Sequence, residues 1–173
     1  MCEGACLRRL FSLPWAVRVF SRLLRITRAP ASWPRGEAFD VQQFYALQSL
    51  VNLDLYRANP QTAWKRIVDT WPQVRRCDRL RLTLMQTFLE DARARVALAL
   101  AGVSEGSERR RWMGIAERAS RMLLRSKAAY APGLGHLLAA GIAILNDDRA
   151  KTKAHLQDAE AIFARNELIP CWR

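Results

Sequence analysis

The sequence has few residues that interrupt helices and few that could form a disulfide framework. Its 173 residues include 8 Gly, 7 Pro and 4 Cys, while half are hydrophobic. Cys2, Cys6, Cys77 and Cys171 have no repeated spacing, and no signal peptide with a small-residue cleavage site precedes them. A secreted, disulfide-rich domain is therefore not expected, and we interpret the compartment as reducing cytoplasm.

Long apolar stretches are also missing from the sequence. The longest one near the N-terminus covers residues 10–17, which is far below the roughly 20 residues that a membrane-spanning helix needs. We therefore expect no transmembrane helix.

Phosphate-binding and nucleophilic motifs are missing as well. Gly133 and Gly135 form only part of a glycine-rich loop, because the third Gly, the Lys and a preceding strand are lacking. We interpret residues 132–135 as a turn between helices. A catalytic Cys77 would need a histidine base in a recognisable context, so a buried thiol is the preferred interpretation. We expect no enzymatic activity and no small-molecule substrate.

Potential metal ligands are few and scattered. A metal site requires Cys, His or carboxylate side chains that converge, and the candidates are the Cys2 and Cys6 pair and the isolated His136 and His155. We interpret His155 as a solvated helix residue. The sequence therefore predicts neither a metal nor another cofactor.

The residues that are present favour helices. Ala, Leu and Arg dominate, which favours helix over sheet, and Gly and Pro divide residues 37–173 into pieces of helical length. Apolar residues in these pieces recur three and four apart, as one face of a helix requires. The predicted helices cover about residues 41–57, 60–71, 78–101, 107–126, 137–145 and 148–166. An all-α chain is expected.

Polar residues mark where these helices begin. Asp40 has the capping-box spacing to Gln43, and Asn59 precedes a Pro in the way typical of a helix N-cap. Ser107 is predicted to cap the fourth helix, and either Asp147 or Asp148 the last. The other acidic pair, Glu90 and Asp91, is interpreted as helix surface.

Short connections between consecutive helices indicate a repeated unit. Turns are predicted near residues 58, 104 and 147, a spacing of about 45 residues, and a fixed period of this size is typical of helical solenoids. We predict an all-α solenoid of three antiparallel hairpins in residues 37–173, preceded by a basic amphipathic N-terminal segment in residues 1–36.

Two of these turns resemble those of tetratricopeptide repeats. Residues 55–64 and 145–152 each join an apolar helix end to a small turn residue and a second helix. A longer run is similar to the C-terminal helical-repeat tail of large bacterial serine/threonine protein kinases, over about residues 40–168. It consists of Phe44-Tyr45-Ala46-Leu47, Asp54-Leu55-Tyr56-Arg57, Ala63-Trp64, Trp71-Pro72 and Leu80-Arg81-Leu82.

This resemblance implies a helical-repeat fold and a link to bacterial kinase signalling, without kinase activity on this chain. The Gly-rich loop, the Val-Ala-Ile-Lys lysine, the His-Arg-Asp catalytic loop and the Asp-Phe-Gly metal ligand are all absent from the sequence. Residues 1–36 fall outside the resemblance. They are expected to be a divergent start, a preceding solenoid helix, or the cut end of a longer parent.

Positive charge is concentrated at the N-terminus. The net charge is +12, and residues 1–36 contribute seven Arg against the single acid Glu3. Residues 7–28 alternate apolar residues with Arg, so they predict an amphipathic helix. It would pack on the first hairpin, lie on anionic lipid or act as an organellar transit segment. The residues predicted to contact a membrane or partner are Phe11, Trp15, Arg18 and Arg22.

The predicted function is a non-catalytic protein-interaction or scaffold module. The predicted location is the cytoplasm, with the periphery of the membrane as an alternative. Aromatic and Arg side chains tend to dominate the binding energy of such surfaces. The predicted partner-binding residues are Tyr45, Arg75, Arg76, Arg109, Arg111 and Trp112. The alternative is a helical protein that binds nucleic acid through its basic surface.

Overall fold

The computed structural model describes residues 41–76 and 83–166, which form six α-helices. In chain order these are α1 (Val41–Tyr56), α2 (Pro60–Arg76), α3 (Thr83–Val103), α4 (Gly106–Leu124), α5 (Ala131–Leu145) and α6 (Arg149–Arg165). Within the two ranges no strand forms, so the predicted all-α class is confirmed. The predicted N-terminal helix, the Asp40 cap, Cys77 and the domain boundary near residue 36 lie outside the described residues.

The described helices pack in a regular series. Each of them contacts the next helix along the chain, and α1, α3 and α5 also contact one another in that order. Residues 57–59, 104–105 and 146–148 connect the two helices of each pair, and these positions coincide with the turns predicted near residues 58, 104 and 147. None of the six described helices combines the length and apolar character that a bilayer span requires.

The first and third of these connections have the same backbone geometry. Ala58 and Asp147 both adopt left-handed conformations, with φ of 54° and 53°. In both turns the next residue closes a six-residue hydrogen-bonded loop, from the Asn59 N–H to the Asp54 carbonyl and from the Asp148 N–H to the Ala143 carbonyl, each at 2.9 Å. Such a loop satisfies carbonyls left free at a helix end.

The residue after each left-handed position caps the following helix. The Asn59 side chain accepts a hydrogen bond from the Thr62 N–H at 3.4 Å, and the Asp148 side chain accepts one from the Lys151 N–H at 3.0 Å. The predicted Asn59 cap is confirmed. Of the two acids considered for the last helix, Asp148 is the cap.

The middle connection follows another route. α3 continues through Gly102 to Val103, so its predicted end at residue 101 was too early. The N-cap of α4 is Glu105, without a side-chain hydrogen bond, and Gly106 takes a left-handed φ of 56°. The prediction that Ser107 caps this helix was wrong, because a glycine in the left-handed region reverses the chain one residue earlier.

Two proline positions also differ from the prediction. α2 continues through Pro72 to Arg76, although Trp71 and Pro72 were predicted to end it. A proline inside a helix removes one hydrogen bond, but Trp71 packs against the core and Val74 is buried in it. That burial on both sides of Pro72 offsets the missing bond.

α5 starts at Ala131, with Pro132 in its first turn, where a backbone N–H has no helical partner. Gly133 and Gly135 therefore lie inside a helix and not in the predicted turn. A Cβ atom at Gly133 would lie 2.6 Å from the Phe163 ring, and one at Gly135 would lie 2.9 Å from the Leu124 backbone nitrogen. These glycines allow neighbouring helices to approach closely, and residues 125–130 connect α4 to α5.

The apolar stripes of the helices meet in two clusters of buried side chains, one formed by α1 to α4 and the other by α3, α4 and α5. The largest fully buried side chains are Leu123, Leu138, Val51 and Val96. Phe88 on α3 and Met122 on α4 are apolar but remain 37% and 47% exposed. The core also contains acidic residues that the hydrophobic pattern did not indicate, Asp54 and Asp91.

Candidate functional site

The predicted partner-binding residue Trp112 belongs to the core. It is only 6% exposed, and its ring contacts Trp64 edge to face at 4.8 Å between centroids. Trp112 lies on the stripe that α4 buries. A side chain packed between α2 and α4 offers almost no surface, so Trp112 contributes little area to the predicted partner contact.

The predicted basic residues fall into different environments. The Arg109 guanidinium donates a hydrogen bond to the Leu145 carbonyl, so it ties the start of α4 to the end of α5. Arg111 is exposed, with its guanidinium over the Trp112 ring at 5.0 Å. Arg75 and Arg76 lie at the end of α2, but the structure does not describe their side chains. The predicted contact residues Phe11, Trp15, Arg18 and Arg22 lie outside the described residues.

Tyr45 is a predicted partner-binding residue that the structure leaves exposed. Its side chain is 60% exposed, and its ring rests edge-on against Phe44 at 5.3 Å. Gln48 and Asn52 follow it three and seven positions later, on the same side of α1. Tyr45 thus begins a stripe of exposed and half-buried side chains along that helix.

Two hydrogen bonds join this stripe to α3. The Gln48 amide donates to the Phe88 carbonyl at 2.9 Å, and the Arg95 guanidinium donates to the Asn52 side-chain oxygen at 2.8 Å. We call the resulting surface the α1–α3 face. Its residues are Tyr45, Gln48, Asn52, Phe88 and Arg95.

A buried acid fixes the position of Arg95 in the α1–α3 face. The Arg95 Nε donates to the Asp91 carboxylate at 2.8 Å. Asp91 is only 7% exposed, so the prediction that it lies on the helix surface was wrong. Burial raises the pKa of the Asp91 carboxyl, although the charge and hydrogen bond of Arg95 act in the opposite direction. A guanidinium has five N–H donors, so Arg95 retains donors beyond these two contacts.

Aromatic side chains extend the α1–α3 face towards α5. The Phe88 ring stacks on Tyr130 with centroids 5.6 Å apart and planes 16° from parallel. Tyr56, one further turn along α1 from Asn52, is 54% exposed. This arrangement offers apolar rings beside an ordered positive charge, which is a combination suited to holding a peptide segment.

A second exposed surface is basic. The side of α4 opposite its buried stripe carries exposed arginines, together with one carboxylate, Glu117, which lies 3.7 Å from Arg121. We call this surface the α4 basic face. Its residues are Arg110, Arg111, Arg118, Arg121 and Arg125.

An apolar groove lies along the second half of α2. It has a volume of about 350 Å³, and the Arg93 guanidinium lies over the Trp71 ring at 5.3 Å, near one wall. The groove was not predicted, because it depends on how α3 packs beside α2. Its lining residues are Trp64, Ile67, Val68, Trp71, Pro72 and Arg93.

The two histidines, isolated in the sequence, meet in the structure. The Nδ1 atoms of His136 on α5 and His155 on α6 are 3.2 Å apart, and His136 Nδ1 is 3.6 Å from an Asp158 carboxylate oxygen. His155 is half-buried, so its prediction as a solvated residue was wrong. One signal was present in the sequence, since His155 and Asp158 are three apart and share a helix face.

No protein-family model, curated protein or solved structure matches the chain.

Proposed function

We propose that residues 37–173 form a tetratricopeptide-like solenoid of three helical hairpins, and that this solenoid is a non-catalytic protein-interaction module. In a solenoid each unit contacts only its neighbours. The series of contacts from α1 to α3 to α5, together with the contacts between consecutive helices, is of that kind. The turns at Ala58 and Asp147 also share one backbone geometry. These two turns are separated by two repeats of about 45 residues each.

The α1–α3 face is the proposed binding surface. The observation that carries this proposal is the exposed Tyr45 ring on a helix that two hydrogen bonds join to α3, where Phe88 and Arg95 are seven positions apart and share one side. Tyr and Arg are enriched where interfaces gain most of their binding energy. Arg95 is held by Asp91 and Asn52, so it loses little conformational freedom when it binds.

The chemistry of this face defines the class of partner. The rings of Tyr45 and Phe88 would pack against apolar side chains, while Arg95 would pair with a carboxylate. We therefore propose a protein segment that carries an acidic residue next to apolar ones. The sequence resemblance adds a narrower proposal, that this partner belongs to bacterial serine/threonine kinase signalling in the cytoplasm.

Site-specific cross-linking tests the proposed face. A photoreactive phenylalanine analogue at position 45 is expected to give a discrete protein adduct in cells, and Tyr56→Ala should lower its yield. The same analogue at Leu156, which is 47% exposed on α6, is the control for general stickiness. Identical adducts from both positions, or no protein adduct from position 45, would contradict the proposal.

Nucleic-acid binding is the second candidate, and the α4 basic face is the observation that favours it. Arginines along one exposed side of a helix can contact successive phosphates. Glu117 and the 47% exposed Met122 lie among these arginines. This mixture of opposite charge and apolar surface favours a protein partner.

A salt titration separates the two candidates. We expect weak binding to single- and double-stranded oligonucleotides in fluorescence anisotropy. Tight binding that falls by about a thousandfold between 50 and 200 mM salt, and that is weakened by Arg118→Gln with Arg125→Gln, would instead assign the α4 basic face to nucleic acid.

A further inference from the structure

We propose that His136, His155 and Asp158 bind one divalent transition-metal ion, such as Zn²⁺, through the two Nδ1 atoms and a carboxylate oxygen. The ion would join α5 to α6. This inference is independent of the proposed protein-interaction function, because the cluster lies in the third hairpin and shares no residue with the α1–α3 face.

The spacing of the ligand atoms fits a tetrahedral ion. Zinc–nitrogen bonds of about 2.0–2.1 Å place two ligands of a tetrahedral site about 3.3 Å apart. The two Nδ1 atoms are 3.2 Å apart, and His136 Nδ1 is 3.6 Å from the Asp158 oxygen. All three ligand atoms lie within 4.8 Å of one another, so small side-chain movements are enough to close the site.

The chemistry of the facing nitrogens also favours a metal. In neutral imidazole one ring nitrogen carries a proton and the other a lone pair. Two Nδ1 atoms in contact can share only one proton, whereas a metal ion accepts both lone pairs and leaves both protons on Nε2. Two imidazoles and one carboxylate suit Zn²⁺, Co²⁺, Ni²⁺ or Cu²⁺ better than Mg²⁺ or Ca²⁺.

The surroundings hold the ligands while leaving an entry path. Gly133 lets α5 approach the Phe163 ring of α6, and the Asn166 amide donates to the Ala129 carbonyl at 3.2 Å beyond it. The side chains of His136 and Asp158 are 20% and 58% exposed. A metal could therefore enter from solvent and retain water as a fourth ligand.

Cobalt titration of the untagged full chain tests this proposal, because Co²⁺ reports tetrahedral binding by its visible absorption. We expect one equivalent to bind and to be displaced by Zn²⁺. His136→Asn and His155→Asn should each weaken binding by about tenfold or more. Asp158→Asn, at an exposed position that should not affect folding, should weaken it as well, whereas the exposed Glu160→Gln on the same helix should not.

Two further readouts make the result decisive. Zn²⁺ should raise the melting temperature of the wild-type protein and of Glu160→Gln, but not that of the two histidine variants, whose folding is checked by circular dichroism without metal. Cobalt bound by the four cysteines would show a thiolate charge-transfer band in the near ultraviolet. The proposal is overturned if that band accounts for all binding, if binding survives in both histidine variants, or if none occurs.

Discussion

The helix pairs α1–α2 and α5–α6 share a turn geometry but pack by different means. At Ala58 and at Asp147 the same left-handed backbone and the same six-residue loop reverse the chain. Beyond the turn, α1 buries Phe44 and Val51, whereas α5 buries Leu138 together with two glycines and three alanines. The turn is thus determined by local residues, while the separation of the helices is determined by the size of the side chains between them.

This difference has a functional side. Two hydrogen bonds join the exposed side of α1 to α3, and the α1–α3 face forms across these two helices. Packing on glycine draws α5 and α6 together, so that side chains from the two helices come within ligand distance. The same turn geometry therefore occurs both in α1–α2, where α1 shares a surface with α3, and in α5–α6, where the two helices carry a compact histidine cluster.

The largest effect on stability is expected from truncating a large buried side chain of α1. Phe44→Ala should lower the free energy of unfolding by about 3–5 kcal/mol, because it leaves a cavity in a core where Phe44 is 3% exposed. The neighbouring Tyr45→Ala, at 60% exposure, is the matched control and should change stability by less than about 0.5 kcal/mol. Urea unfolding measures both, and equal losses would contradict the assigned helix faces.

A methyl group in the glycine contact should have the next largest effect. Gly135→Ala places a Cβ atom 2.9 Å from the Leu124 backbone nitrogen, so a whole helix must shift, and we expect a loss of about 1–3 kcal/mol. Gly114→Ala in α4 has nothing within 4 Å of the new atom. It should gain about 0.5–1 kcal/mol from helix propensity alone. Thermal unfolding of the pair checks the sign of each change, and a stabilising Gly135→Ala would disprove close packing there.

The turns that the two helix pairs share could be predicted from the sequence. The difference in how their helices pack could not. The turns, the Asn59 cap and the helical class follow from residues within one turn of each other. The glycine contacts depend on Phe163 and Leu124, which are remote in sequence from the glycines they face. Gly133 and Gly135 were therefore predicted as a turn, which is the usual local role of glycine.

The candidate sites illustrate the same limit. The 60% exposure of Tyr45 follows from its position on a periodic helix, next to the buried Phe44. Asp91 and Trp112 could not be assigned, since the burial of each depends on which neighbouring helix covers that side. The histidine cluster required the pairing of α5 with α6 before His136 and His155 could be placed together.

Removing the side chain that caps α2 should destabilise the protein less than either packing change. Asn59→Ala deletes the acceptor of the Thr62 N–H and is expected to cost about 1 kcal/mol. Asn59→Asp keeps an acceptor and serves as the control. Urea unfolding should place the aspartate variant within about 0.5 kcal/mol of the wild type, and an equally large loss in both variants would indicate that the side chain does not act as a cap.

The smallest effect on stability is expected from the charge of Asp148, the residue that caps α6. Hydrogen bonds from the Lys151 side chain and backbone lower the pKa of Asp148. The ionised carboxylate therefore adds stability above the ordinary carboxyl pKa of about 3.9, and this contribution is lost as the pH falls through the lower, folded value. Asp148→Asn, which keeps the cap, should be slightly less stable than wild type at pH 7.

Melting curves across the acidic range check this prediction. The difference between wild type and Asp148→Asn should shrink as the pH falls below about 4. A difference that stays constant from neutral to acidic pH would show that the charge does not contribute and that the cap acts only as a hydrogen-bond acceptor.

The Arg109 hydrogen bond to the Leu145 carbonyl has a mechanical consequence. It joins the first turn of α4 to the last turn of α5, where a cation also complements the negative end of the helix dipole. When the chain is pulled from its C-terminal side, α6 can peel away before this bond carries load. Tension then reaches this bond, so the contact between α4 and α5 at Arg109 is expected to be the next to rupture.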